Sequence, residues 1–167
     1  RRDIIFVIGG GEATIITERI IIQKDYLSIR GPGRSVVFAP IDDAGPTITI
    51  DALGAEIVNF KITTKQGGAA VHGIYGTAAN CTNSYLFNLD IYECTDSGIL
   101  IENGRTEIIE ACLIHNNGGS GVYFKDTLGA KIQKCIIVNN DGYGVLLEKS
   151  VGMNTIGTVM DDSIIKW

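Results

Sequence analysis

Leucine is scarce in this chain. Nine of the 167 residues are Leu, against 27 Ile. That ratio favours strands, because β-branched side chains fit a pleated surface. Long apolar runs are missing too. No stretch approaches the ~20 residues that a membrane-spanning helix needs, so membrane insertion is not expected. There is no run of Lys and Arg, and the formal net charge is −5. That argues against nucleic acid as a partner, since phosphate contacts need a basic footprint. None of the four cysteines, Cys81, Cys94, Cys112 and Cys135, lies in a C-x-x-C pair. The usual zinc and thioredoxin-type spacings are therefore absent, and no metal or other cofactor is expected. No ten-residue stretch carries clean helical periodicity. There is no initiator Met, and Arg1-Arg2-Asp3-Ile4-Ile5-Phe6 is too short, and too broken by Asp3, for a signal peptide. The expectation is one domain that forms part of a longer or processed polypeptide.

What the chain has instead is glycine and a period. Gly accounts for 21 residues, apolar residues for 45% and charged residues for 20%. This is a folded composition with many tight turns. Ser97-Gly98-Ile99-Leu100-Ile101-Glu102 recurs as Ser120-Gly121-Val122-Tyr123-Phe124-Lys125 and as Tyr143-Gly144-Val145-Leu146-Leu147-Glu148. His72-Gly73-Ile74-Tyr75 is an earlier copy. A second motif, Ile109-x-x-Cys112-x-Ile114, returns as Ile132-x-x-Cys135-x-Ile137, after Leu86-x-x-Leu89-x-Ile91 and Ile57-x-x-Phe60-x-Ile62. Asn116-Asn117 returns as Asn139-Asn140, 23 residues on.

A repeat near 23 residues without helices is too short for a propeller blade, and it lacks the Leu and Asn signature of leucine-rich repeats. It fits a parallel β-solenoid, each repeat one coil of three short strands. Equivalent positions then form columns. Cys112 and Cys135, and Ile114 and Ile137, fill the interior as apolar columns. Asn117 and Asn140 stack at a turn, where amides bond from coil to coil. Glu102, Lys125 and Glu148 form one outward column of alternating sign. The regular coils run over 72–150, with looser first coils over 13–30. Runs 34–46 and 65–70 read as insertions, the first holding Asp42-Asp43.

Extra loop length on a regular scaffold is where function tends to sit. Asp42-Asp43 is a candidate for Ca²⁺ or sugar binding, or simply a polar loop tip. His72 and His115 are the only histidines, and both read as turn residues that could serve as a general base. Asp90, Glu93, Asp96 and Glu110 are weak catalytic candidates, as a pair of carboxylates for glycoside chemistry or as a solvated acidic face. Alternation sends Tyr75, Leu100, Tyr123 and Leu146 outward as one stripe, for a ligand or a second subunit.

The run Tyr26-Leu27-Ser28-Ile29-Arg30-Gly31-Pro32-Gly33-Arg34-Ser35 and the Ile-x-x-Cys-x-Ile, Asn-Asn and Ser-Gly-Val motifs resemble the right-handed parallel β-helix proteins of the pectate-lyase-like superfamily. That group includes pectate lyases, polygalacturonases, alginate epimerases and bacteriophage tailspikes. The resemblance covers roughly 13–150 and implies an all-β, right-handed, single-stranded parallel β-helix of about seven coils, about 34 Å long at ~4.8 Å per coil. Its catalytic signatures do not carry over. The Asn-Thr-Asp, Asp-Asp, Gly-His-Gly and Arg-Ile-Lys set is missing, and Arg30-Gly31-Pro32-Gly33-Arg34 only approximates the Arg-x-Pro-x-x-Arg of pectate lyases. With the stripe and the open ends, the resemblance implies a structural and receptor-binding, glycan-binding module of a viral particle, of tailspike or tail-fibre type. Such a module would be a homotrimer, packed through the stripe, meeting cell-surface polysaccharide and other virion proteins. Two alternatives stand beside it. One is a polysaccharide lyase or glycoside hydrolase acting on an acidic or capsular polysaccharide. The other is a bacterial surface adhesin. The corresponding locations are the virion, the cell surface or the secreted space.

Overall fold

The computed structural model describes residues 3–8, 14–33, 35–40, 45–63, 71–77, 80–160 and 163–166. They form three parallel sheets of seven strands each, visited in turn. Sheet 1 holds Asp3–Phe6, Leu27–Arg30, Glu56–Val58, Tyr85–Phe87, Ile108–Glu110, Lys131–Gln133 and Asn154–Ile156. Sheet 2 holds Thr14–Ile16, Val36–Phe38, Lys61–Thr63, Asp90–Tyr92, Leu113–His115, Ile136–Val138 and Val159–Met160. Sheet 3 holds Ile20–Ile22, Ile48–Ile50, Ile74–Gly76, Ile99–Glu102, Val122–Lys125, Val145–Glu148 and Ser163–Lys166. This is a right-handed parallel β-helix with no α-helix among the described residues.

The strands are short because the corners are sharp. From the strand Glu56–Val58 onward, only two residues separate sheet 1 from sheet 2. The first of them has left-handed backbone in five successive coils: Asn59 (φ 65°), Asn88 (51°), Ala111 (55°), Lys134 (55°) and Gly157 (56°). Gly and Asn enter this region most readily, and other L-residues are held there at a cost of about 1–2 kcal/mol. The second corner residue points inward. Phe60, Leu89, Cys112 and Cys135 stack there, each at most 2% exposed. The thiols act as apolar filler. Burial pushes Cys81 and Cys94 up to about 12.

Between corners, alternation places one Ile column in each sheet. Ile29, Ile57, Leu86, Ile109 and Ile132 are in register in sheet 1, and Ile62, Ile91, Ile114 and Ile137 in sheet 2. Each fully buried Ile contributes about 2 kcal/mol of hydrophobic stabilisation. The recurrent glycine has a steric cause. A Cβ on Gly98 would lie 2.9 Å from the Asn117 amide nitrogen and 2.9 Å from the Gly121 carbonyl oxygen. That gap houses the amide ladder. Asn117 Nδ2 donates to Asn140 Oδ1 at 2.8 Å, and the Cys94 N–H donates to Asn117 Oδ1 at 3.0 Å. The stacked amides expected at this turn are therefore present, on the inner residue of each Asn pair, while Asn116 and Asn139 take the left-handed corner.

Two expectations need correction. The run 34–46 is not wholly an insertion, because Val36–Phe38 is a regular strand of sheet 2. Its Val-Val-Phe is too short to announce itself beside two prolines. His115 is not a turn residue but ends a strand and faces out from sheet 2. Asp42, Asp43 and the insertion 65–70 lie outside the described residues.

One carboxyl breaks the apolar pattern. Glu107 is 1% exposed, and neither of its oxygens meets a side-chain partner. It fits because Gly104 has no side chain; a Cβ there would lie 2.7 Å from Glu107 Oε1. Burial pushes the carboxyl up to about 7, against the pull of the Glu107 and Arg105 backbone N–H groups. Its ionised form is thus disfavoured in the fold. Stability is fully present below the unfolded value near 4.5 and is lost as pH climbs towards 7. Glu107→Gln is expected to raise the melting temperature by several degrees at pH 8 and to change little at pH 4. Thermal unfolding followed by circular dichroism at the two pH values checks this.

Candidate functional site

The outer face of sheet 3 carries one column in strict register: Ile21, Thr49, Tyr75, Leu100, Tyr123 and Leu146. The stripe read from the repeat is therefore one outward row, and Ile21 and Thr49 prolong it. Exposure varies along it. Ile21 is 63% exposed, whereas Leu100 is 9% exposed between its two tyrosine neighbours.

Beside Leu100 lies an open cleft of about 290 Å³, lined by Gly45, Pro46, Val71, His72, Tyr75, Leu100 and Glu102. Its position follows from the chain path. Pro46 and Val71 border the two runs where coil length departs from the repeat, and they rise at the edge of sheet 3 just before the strands Ile48–Ile50 and Ile74–Gly76. Arg19 Nη1 donates to the Pro46 carbonyl at 3.5 Å and supports that rim.

The polar groups of this face are paired in a regular way. The Tyr75 phenol donates to Glu102 Oε2 at 2.6 Å, and the Tyr123 phenol donates to Glu148 Oε2 at 2.5 Å. Lys125 Nζ reaches Glu102 Oε1 at 2.8 Å. The Lys125 ammonium and then the Tyr75 phenol hold Glu102 below the ordinary carboxylate range. Tyr85 repeats the arrangement on sheet 1, donating to Glu110 Oε2 at 2.9 Å. In each case the tyrosine clasps a glutamate one coil on and two residues further along the same face.

His72 borders the cleft, its ring centroid 6.2 Å from that of Tyr75. Burial lowers its pKa, opposed by the Asp96 carboxylate and by a hydrogen bond with the Ser97 backbone. The imidazole is neutral at pH 7, with Nδ1 buried and unpartnered. A neutral imidazole beside a phenol and a carboxylate can move a proton on a bound molecule.

The four acidic candidates do not converge. Asp90 faces out from sheet 2, with Oδ1 3.1 Å from His115 Nε2 and Oδ2 3.8 Å from Lys61 Nζ. Tyr92 stacks on His115 with ring centroids 5.4 Å apart. Glu110 belongs to sheet 1, where Tyr85 and then Gln133 hold its pKa down. Glu93 forms the corner after sheet 2 at φ 56°. Asp96 alone comes near the cleft, its backbone N–H donating to the Val71 carbonyl at 2.8 Å. Glu102 was read only as a column charge. The Tyr-to-Glu offset of one repeat plus two residues was the signal for it. No grouping of three metal-ligating side chains occurs among the described residues.

A family model described as "Right handed beta helix region" matches residues 41–165. No curated protein matches the chain by sequence. Solved structures with the same fold include a periplasmic alginate epimerase (14% identity, TM-score 0.64), covering 83% of this chain and 34% of that one. A mannuronan C-5 epimerase A-module from Azotobacter vinelandii shows 15% identity and a TM-score of 0.64, over 93% and 46% of the two chains. A pectin methylesterase from Yersinia enterocolitica shows 13% identity and a TM-score of 0.60, over 93% and 61%. The chain thus spans between a third and three fifths of these structures.

The tyrosine clasps have a direct optical readout. Tyr75, Tyr85 and Tyr123 are each pushed up to about 12, the hydrogen bond to Glu102 leading for Tyr75 and burial leading for the other two. An alkaline titration at 295 nm is expected to show a late phase near pH 12. Tyr75→Phe, Tyr85→Phe and Tyr123→Phe should each remove about a third of its amplitude.

Proposed function

The chain belongs to the right-handed β-helix family, and on that premise we propose that it is a structural, glycan-binding module whose contact face is the outer side of sheet 3. The observation that carries the reading is the column Tyr75, Leu100, Tyr123 and Leu146, continuous with the cleft beside Leu100. Aromatic rings of fixed orientation are suited to the apolar faces of sugars. The clasps fix them, since each phenol is tied to a carboxylate on the next coil. A face ordered by the sheet before the ligand arrives avoids the entropy cost of ordering it on binding. The polysaccharide-directed names of the similar structures agree with this class of ligand.

The setting that fits is a protein outside the cytoplasm, secreted or at a surface, with a tailspike or tail-fibre of a viral particle as the specific form. In that setting the module is a rigid spacer that presents sheet 3 to a cell-surface polysaccharide.

A second reading has its own support. His72, neutral and with an unpartnered Nδ1, borders the cleft beside Tyr75 and the Glu102 carboxylate. That set suits acid–base chemistry on the bound glycan once a turn of the imidazole ring brings a nitrogen to the cleft. Release of reducing ends by the wild type, lost in His72→Gln with binding retained, would establish it. A wild type that binds glycan without releasing product would dismiss it.

Binding itself is checked by affinity electrophoresis through gels containing single polysaccharides. Tyr123→Ala is expected to weaken the retarding interaction about tenfold, or ~1.4 kcal/mol. Lys131→Ala on sheet 1 should leave it unchanged. Light scattering on the same proteins separates the competing role. A trimer that Tyr123→Ala dissociates would make the stripe a subunit contact and would overturn the binding reading.

A further inference from the structure

We infer that the glycan held on sheet 3 is neutral and rich in hydroxyl groups, and is not a polyuronate; this rests on the binding reading above and names its ligand class. The reasoning starts from the column flanking the stripe. Asp51, Thr77, Glu102, Lys125 and Glu148 succeed one another there, one coil apart. From Asp51 to Glu148, three carboxylates stand against one ammonium.

That ammonium is committed. Lys125 Nζ lies 2.8 Å from Glu102 Oε1, and the Glu102 carboxylate raises the lysine's pKa. Past Glu148 the backbone register sets Lys166 beside it. Arg19, at the cleft rim, donates to the Pro46 carbonyl.

The phenols of the face are committed as well. The Tyr75 and Tyr123 hydroxyl hydrogens go to Glu102 and Glu148. The Thr77 hydroxyl donates to Asp51 Oδ1 at 2.9 Å and Asn80 Nδ2 to the same oxygen at 2.7 Å. What remains for a ligand is mainly ring surface, the Leu100 floor and the unfilled lone pairs of carboxylates, which accept up to about four hydrogen bonds each.

A site of acceptors needs a ligand of donors. Sugar hydroxyls supply them, and a hydrogen bond to a charged acceptor is among the strong ones. A uronate would bring its own carboxylate against Glu102 and Glu148, where like charges repel and the nearest cation, Lys125, is already paired with Glu102. Tyr75 and Tyr123 stand two coils apart, ~10 Å at sheet spacing. Two rings of one glycan chain can stack on them while the intervening sugar crosses Leu100. Within the second reading above, this points away from lyase chemistry, which needs a uronate carboxylate beside the proton removed, and leaves hydrolysis.

The test compares the purified chain on a neutral β-glucan and a galactomannan with polygalacturonate and alginate, by affinity electrophoresis at low salt. At least one neutral polymer is expected to bind ten times more tightly than either polyuronate. Tyr123→Ala should weaken that binding. Glu148→Gln, which keeps an acceptor for the Tyr123 phenol, should narrow the preference about fivefold. Tighter, salt-sensitive binding of a polyuronate that Tyr123→Ala still weakens would overturn the inference and leave the binding reading standing. Binding to neither class, or binding indifferent to Tyr123→Ala, would overturn both.

Discussion

Everything in this molecule depends on the left-handed corner between sheets 1 and 2. A parallel coil has to bend within two residues and return to the same height relative to its neighbour. The residue at Asn59, Asn88, Ala111, Lys134 and Gly157 performs that bend in each successive coil. Once it is made, the next side chain points into the core, and the residue two further on does too. The Phe60, Leu89, Cys112 and Cys135 column and the Ile62, Ile91, Ile114 and Ile137 column are consequences of this one backbone state. A coil that bent one residue late would turn its isoleucines to solvent.

The same register builds the outer face. Because alternation is strict, filling the interior with Ile99, Val122 and Val145 obliges Leu100, Tyr123 and Leu146 to face out in line. The tyrosines and glutamates then lie two residues apart on one face and one coil apart in height. Their hydrogen bonds run from coil to coil, along the axis, in the direction of the backbone ladder. A site assembled this way is as rigid as the sheet beneath it. Local variety enters only where coil length departs from the repeat. The cleft lies at that place, between Pro46, Val71 and the Tyr75–Glu102 pair.

The repeat made the fold legible. Ile109-x-x-Cys112-x-Ile114 encodes strand, corner, inward residue and strand, and the Asn pairs encode the next corner. The stripe was legible for the same reason, since alternation needs no tertiary information. Three features were not. The strand Val36–Phe38 lay in a run whose Pro40 and Asp42-Asp43 suggested a loop. The acids near residue 90 are close in sequence but are divided between the face of sheet 2 and the turn that follows it, with Glu110 on sheet 1, because each coil spends its residues on three sheets. Glu107 gave no sign of burial, since only the space left by Gly104 admits it. Proximity along this chain is a poor guide to proximity in space. An offset of one repeat is the better one.

The column of Glu102, Lys125, Glu148 and Lys166 has a consequence for how such a molecule can change its length. In backbone terms a coil is an interchangeable cassette, and a 23-residue excision spanning Lys125 would close without altering a corner. In charge terms it would not close cleanly. Glu102 would meet Glu148 directly, two carboxylates at strand spacing with no cation between them. Excising or duplicating two coils together restores the alternation. The stack therefore has a parity: its geometry counts coils singly, and its electrostatics count them in pairs.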